Sequence, residues 1–213
     1  MFKQQIKMIM ACSKSENKDH MCIGLNGEMP WGAKPFSKED ANHFKEYTKN
    51  HVVVMGSTTW KSLPFKLKDR VNIVLTRDSD PEHLTTFGKK STIKTNTEMV
   101  YPDMFSHESL YDTVVTLKNL YPTKHIIIIG GANVYEQAID ELEIDELSIS
   151  LSYQRYEYDT YLSFDKLNYL HKYDDIQRNI FEDGSGEVAI FSNTGILDKI
   201  FKSKFLNKIL AKS

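Results

Sequence analysis

The chain has 213 residues, 40% of them hydrophobic and 26% charged, with a formal net charge of −2. That length suits one domain with a substantial core, and the near-neutral balance excludes an overall basic field of the kind that grips nucleic acid. No apolar run reaches the ~20 residues of a transmembrane helix, the N-terminus lacks a signal-peptide pattern, and Cys12 and Cys22 are too few for a disulfide framework. Small-molecule chemistry in a reducing, cytoplasmic setting is the expectation.

Lys7–Cys12 reads as a buried strand, Ser13–Cys22 as a polar loop, and Ile23–Pro35 as a turn-rich stretch around Asn26-Gly27 and Pro30. Ser37 can cap a helix running to about Lys49, with Asp40 three residues on in capping-box position. His51–Met55 follows as a β-branched strand, Ser57–Ser62 as a short helix and Asn72–Thr76 as another strand. The region from Asp78 to Asp103 is polar, with a short strand expected at Ser91–Lys94. Leu110, Val114, Leu117 and Tyr121 predict an amphipathic helix over Glu108–Tyr121. His125–Ile129 is the most continuously apolar strand, Ala132–Leu142 a helix and Glu146–Leu151 a strand. Asp175–Phe181 and Glu187–Ser192, around Asp183-Gly184-Ser185-Gly186, predict an antiparallel hairpin. The alternation predicts an α/β fold: one domain over 1–194, an open mixed sheet, mostly parallel, with a C-terminal antiparallel hairpin and flanking helices.

Ligands of such sheets bind beyond the carboxyl ends of the strands. Gly56-Ser57-Thr58-Thr59 and Gly130-Gly131-Ala132 each turn a strand into a helix, leaving backbone N–H groups and hydroxyls for a pyrophosphate, and Thr76-Arg77 adds a hydroxyl and a cation. One glycine corner is weak; two with Arg77 favour a dinucleotide. Gly184-x-Gly186-x-x-Ala189 matches the dinucleotide fingerprint as a string, but it has no strand–helix unit around it and is rejected. On a helix, Asp40, Phe44, Tyr47 and Thr48 share one face, so a carboxylate stands beside an aromatic ring, suited to the edge of a flat heterocycle. The seven histidines form no metal-ligand pattern, and no metal is expected.

These residues resemble those of dihydrofolate reductases. The resemblance runs from about Lys7 to Ser192 and rests on IGLNGEMPW at Ile23–Trp31, Asp40-x-x-x-Phe44, VMGSTTWKSLP at Val54–Pro64, RVNIVLTR at Arg70–Arg77, IIGGANVY at Ile128–Tyr135 and DTY at Asp159. It implies reduction of 7,8-dihydrofolate to 5,6,7,8-tetrahydrofolate by hydride from NADPH, in one-carbon metabolism and thymidylate synthesis. By position, it implies that Asp40 holds the pterin edge and assists protonation, linked to Ser150. It further implies that Ile9, Ala11, Phe44, Leu63, Leu67 and Ile129 wall the pocket, and that Arg70 clamps the glutamate carboxylate. Trp31, with Met29, is implied to belong to the loop closing over the nicotinamide. Ala11, Ile23, Gly24, Gly56, Ser57, Thr58, Thr59, Thr76, Arg77, Gly130, Gly131, Ala132, Val134 and Tyr135 are implied cofactor contacts.

Two positions depart from the family pattern: Ser57 and Asn133 stand where an Arg is frequent, leaving Arg77, with Lys94, for the 2′-phosphate. The segment 195–213 lies beyond the resemblance. It carries five Lys against Asp198, and its apolar pairs spread around a helix rather than along one face. Self-association, packing on the domain, a membrane-surface contact and disorder all stay open for it. Two rival readings fit part of the pattern. A pyrimidine reductase of similar fold would lack the Pro30-Trp31 loop and Arg70, and a folate-binding accessory protein would not need Asp40 and Trp31 together.

Overall fold

The computed structural model describes residues 2–17, 19–32, 34–78, 102–163, 172–173 and 175–192. The strand expected at 91–94 and the segment 195–213 lie outside them. The elements run β1 (Ile6–Lys14), β2 (His20–Gly24), α1 (Lys38–Thr48), β3 (Val52–Gly56), α2 (Ser57–Ser62), β4 (Val71–Leu75) and β5 (Met104–Ser106). They continue α3 (Leu110–Leu120), β6 (Ile126–Ile128), α4 (Ala132–Glu141), β7 (Glu146–Arg155), β8 (Thr160–Ser163), β9 (Asp175–Ile180) and β10 (Gly186–Ser192).

One sheet runs β5-β4-β3-β6-β1-β7-β10-β9, with β2 paired to β1 and β8 to β2. From β5 to β7 every pairing is parallel, and β10 is antiparallel to both β7 and β9. This is the mixed, mostly parallel α/β sheet with a closing hairpin that the residue pattern predicts. The central strands are apolar throughout because both faces are covered. Met8, Met10, Val52, Val54, Ile126 and Ile128 point to one side, where Leu110, Val114 and Leu117 of α3 and Val134, Tyr135 and Ala138 of α4 meet them. Ile9, Val53, Met55, Ile127 and Ile129 point to the other and pack with Trp60, Leu67 and, more exposed, Phe44 and Tyr47 of α1.

The elements differ from expectation in particular places. Ser13–Cys22 is no plain loop. β1 continues to Lys14 and folds back as β2 with Ser13 opposite Cys22, because Met21, Cys22 and Ile23 are buried and only the tip is polar. β5 and β8 were not anticipated; at three and four residues they are too short to show a period. β7 extends to Arg155, since its far half pairs with β1 and β10 despite its polar side chains. The Gly184–Ala189 string lies on the β9–β10 hairpin, where a Cβ at Gly186 would clash with the Leu151 carbonyl.

Candidate functional site

Asp40 is set by the start of α1. Ser37 caps the helix by accepting from the Glu39 N–H at 3.1 Å. Asp40 does not close a capping box; its side chain is buried, 9% exposed, beside the Ser150 hydroxyl. Burial pushes this carboxyl above the usual range, and the Ser150 hydroxyl pulls partly back. Ser150 lies on β7 beside Ala11 of β1, so sheet register delivers it to the acid.

The pairing repeats along the helix. His43 Nε2 meets Ser148 Oγ at 2.7 Å, and the Tyr47 hydroxyl donates to Glu146 Oε1 at 2.8 Å. Residues 146, 148 and 150 share one face of β7 and residues 40, 43 and 47 one face of α1, which places the three polar pairs in a row. Burial lowers His43 below the ordinary imidazole range, despite Glu146 nearby.

Next to this row, Ile9, Leu67 and Ile129 form an apolar wall with Phe44 and Leu63 packed against it. At the outer end of that wall stands Arg70. Its Nε donates to Thr48 Oγ1 at 3.1 Å, and its two terminal nitrogens donate to the carbonyls of Lys68 and Lys45, each at 2.6 Å. Asn72 fixes the loop beneath, receiving from the Leu67 N–H and donating to the carbonyls of Leu67 and Arg70. The guanidinium is thus held by the end of α1 and the turn before β4.

A cleft of about 930 Å³ runs over the carboxyl ends of the parallel strands. Its lining includes Ala11, Ile23 and Gly24; Gly56, Ser57, Thr58 and Thr59; Thr76 and Arg77; and Ile129, Gly130, Gly131, Ala132, Val134 and Tyr135. The two glycine corners touch: the Gly56 N–H donates to the Gly130 carbonyl at 2.8 Å. Gly130 has φ +112°, and a Cβ there would come 2.9 Å from the Tyr135 ring, whose hydroxyl is committed to the Ile9 carbonyl at 2.8 Å. A Cβ on Gly131 would stand 3.2 Å from Thr59 Oγ1, so glycine keeps that gap open. Gly131 caps α4 without any side-chain bond, leaving its first N–H groups to the cleft.

The loop after β2 borders the same cleft through Gly27, Glu28 and Met29. Asn26 and Gly27, at φ +53° and +77°, form its tight turn. Asp159 ties it down, accepting from the Asn26 N–H at 2.7 Å and donating its own N–H to Gly24. Trp31 is outside the lining; it packs edge-on against Phe36 and Tyr156, with ring centroids 4.7 and 5.8 Å away. Residues not anticipated also border the cleft, chiefly His107, Glu108 and Ser109 after β5. The signal that locates them is β5 itself, which carries no readable period. Among the described residues no group of three His, Cys, Asp or Glu could hold a metal, and no helix is long and apolar enough to cross a membrane.

A family model described as dihydrofolate reductase matches residues 5–190. The chain is 28% identical over 178 residues to the dihydrofolate reductase of Rattus norvegicus, covering 77% of this chain and 86% of that one. It is 31% identical over 151 residues to that of Neisseria gonorrhoeae, covering 69% and 75%. Over 194 residues it is 26% identical to that of Heliothis virescens, covering 86% and 92%. With a match spanning nearly the whole described sheet, the chain belongs to the dihydrofolate reductase family, oxidoreductases that reduce 7,8-dihydrofolate to 5,6,7,8-tetrahydrofolate.

Proposed function

We propose that the chain performs this reduction with Asp40 as the group that holds and helps protonate the pterin, and with NADPH as the hydride source. The observation that carries the reading is the buried Asp40 carboxylate, beside the Ser150 hydroxyl at the edge of an apolar wall. A carboxylate there accepts from the ring N–H and amino group of a pterin while Phe44, Leu63, Leu67, Ile9, Ala11 and Ile129 exclude water. Its raised proton affinity suits it to keep a proton near N5, directly or through water. Arg70, already oriented by Thr48 and two carbonyls, offers its fork to the glutamate carboxylate at the mouth.

The cleft's donors fit a dinucleotide: four hydroxyls (Ser57, Thr58, Thr59, Thr76), the Arg77 guanidinium and the open N-terminus of α4, around about 930 Å³. When bound, NADPH supplies the hydride that C6 of the substrate receives, while N5 gains a proton. Met29 and the loop around it, with Trp31 behind, close over the reacting rings and keep solvent out. Cys12 and Cys22 are free thiols, in keeping with a reducing compartment, and we place the reaction in the cytoplasm.

The test is the pH–rate profile of Asp40→Asn with dihydrofolate and NADPH. The variant is expected to lose at least ~100-fold in kcat at pH 7 and to recover as pH falls, when solution supplies protonated substrate. A profile parallel to the parent's would remove Asp40 from the protonation step.

A further inference from the structure

The loop over the cleft is held differently at its two ends. At its start the ties are polar: the Gly24 carbonyl, closing β2, accepts from the Asp159 N–H at 3.1 Å, and the Asp159 carboxylate accepts from the Asn26 N–H at 2.7 Å. At its end the ties are aromatic. After Trp31 the chain reverses at Gly32, φ +82°, whose N–H donates to the Met29 carbonyl at 2.8 Å within the loop itself. Trp31 then meets the domain edge-on through Phe36, at 4.7 Å between ring centroids, and through Tyr156 at 5.8 Å. Phe36 in turn lies 5.9 Å from the ring of Phe181.

Phe36 has a prepared seat. Phe181 is buried and closes the β9–β10 turn, its N–H donating to the Gly186 carbonyl at 3.0 Å. A Cβ on Gly186 would stand 2.9 Å from Phe36 Cε2, so the glycine lets the ring lie against the strand backbone. The Gly184–Ala189 string takes no part in the cleft lining; its Gly186 supplies the floor under Phe36. The same turn reaches α1, where the Glu182 N–H donates to Glu39 Oε2 at 2.7 Å, one residue before Asp40. With Phe36 and Glu39 both fixed to it, the turn sets the course of the chain between Trp31 and Asp40. Pro30, its φ locked by the ring, links Trp31 to Met29, which lines the cleft, so a shift of the Trp31 ring is passed on to Met29.

We infer that Phe36 is a positioning residue for the reduction: seated on Gly186 and Phe181, it holds Trp31, and through Pro30 also Met29, in place over the reacting rings. The inference rests on the reading of this loop as the lid of the site. The test compares Phe36→Ala and Phe36→Leu with the parent, each as the full chain. It reads single-turnover oxidation of bound NADPH by dihydrofolate, the dissociation constant of dihydrofolate, and the fluorine NMR spectrum of protein labelled with fluorotryptophan. The chain has two tryptophans and Trp60 is fully buried, so Trp31→Phe assigns the Trp31 signal. Phe36→Ala is expected to slow the single turnover about tenfold, the scale of a lost ring pair, and to leave dihydrofolate binding within about twofold. The Trp31 signal should move while that of Trp60 stays. Phe36→Leu refills the seat and is expected to recover most of the rate. An unmoved Trp31 signal, or a single turnover within about twofold of the parent, overturns the inference. So does a loss of dihydrofolate affinity as large as the loss of rate, or a Trp60 signal that shifts as well, since either marks a general loosening of the domain. A parent that fails to oxidise NADPH with dihydrofolate, while Phe36→Ala moves the Trp31 signal alone, would overturn the reductase reading and leave the hold of Phe36 on the loop standing.

Discussion

Burial raises the proton affinity of Asp40, and the Ser150 hydroxyl offsets only part of that rise. The same property that serves proton delivery costs stability. A carboxyl whose folded-state proton affinity exceeds its unfolded value binds more protons folded than unfolded, so stability falls as pH climbs from its ordinary value of 3.8 through the raised one. Asp40→Asn keeps a partner for Ser150 and removes the buried charge. It is therefore expected to be more stable than the parent at pH 7 by roughly 0.5–2 kcal/mol, a gain typical where function strains the fold. The difference should vanish below pH 4. Thermal melts of both proteins across pH 3–8 measure this, and equal melting temperatures at pH 7 would mean that the carboxylate is well solvated after all.

α1 shows how an element can dock with little apolar surface. Its buried positions are Asp40 and Thr48, and its inward face meets β7 through Asp40–Ser150, His43–Ser148 and Tyr47–Glu146. Lys7 joins the last pair, 2.9 Å from Glu146 Oε1. Tyr47→Phe removes one donor and leaves Lys7 in place, so a loss of about 1 kcal/mol is expected, read as a lower urea midpoint with unchanged slope. Since Asp40 rides on the same helix, turnover should fall with it only if the helix shifts. Half of this arrangement is legible in the residues: the 3.6-residue period places Asp40, Phe44, Tyr47 and Thr48 on one face. Of the partners, Ser150 is reached only through the family resemblance, and Glu146 and Ser148 are not legible, because all three alternate in a strand whose depth in the sheet depends on β1 and β10 pairing from both sides. The same limit hides β5, and with it His107 and Glu108. A three-residue strand takes its place from its neighbour β4, and no local pattern announces it. The glycine corners are visible because the backbone itself requires glycine there, as at Gly130 against the Tyr135 ring.

Across the whole molecule, the two ends of the sheet have opposite tasks. The carboxyl ends hold an open cleft; the amino ends are sealed by backbone bonds to two histidines. His51 Nδ1 accepts from the His125 N–H at 3.2 Å, and His125 Nδ1 accepts from the Gln5 N–H at 3.1 Å, tying the starts of β3, β6 and β1. Both rings must keep Nδ1 unprotonated. Burial and then the nearby Lys7 depress both; Lys124 adds to this at His51, and His125 falls to about 4 although Glu146 and Asp145 oppose the shift. With a depressed folded value, the unfolded chain binds more protons between about pH 6.5 and 4. The stabilisation is therefore complete above pH 6.5 and is lost as pH falls toward 4. Partial exposure of the rings screens the effect, and His125 is expected to contribute roughly 1 kcal/mol of that loss. His43, also depressed, adds a loss of the same sign from the α1 side. His125→Asn separates them, because Asn Oδ1 can accept the Gln5 N–H without titrating. Its stability should fall less steeply than the parent's between pH 6.5 and 4 in urea titrations, while kcat at pH 7 stays unchanged, since the substitution lies at the end of the sheet away from the cleft. An identical slope would place the acid sensitivity elsewhere, with His43 the next group to replace.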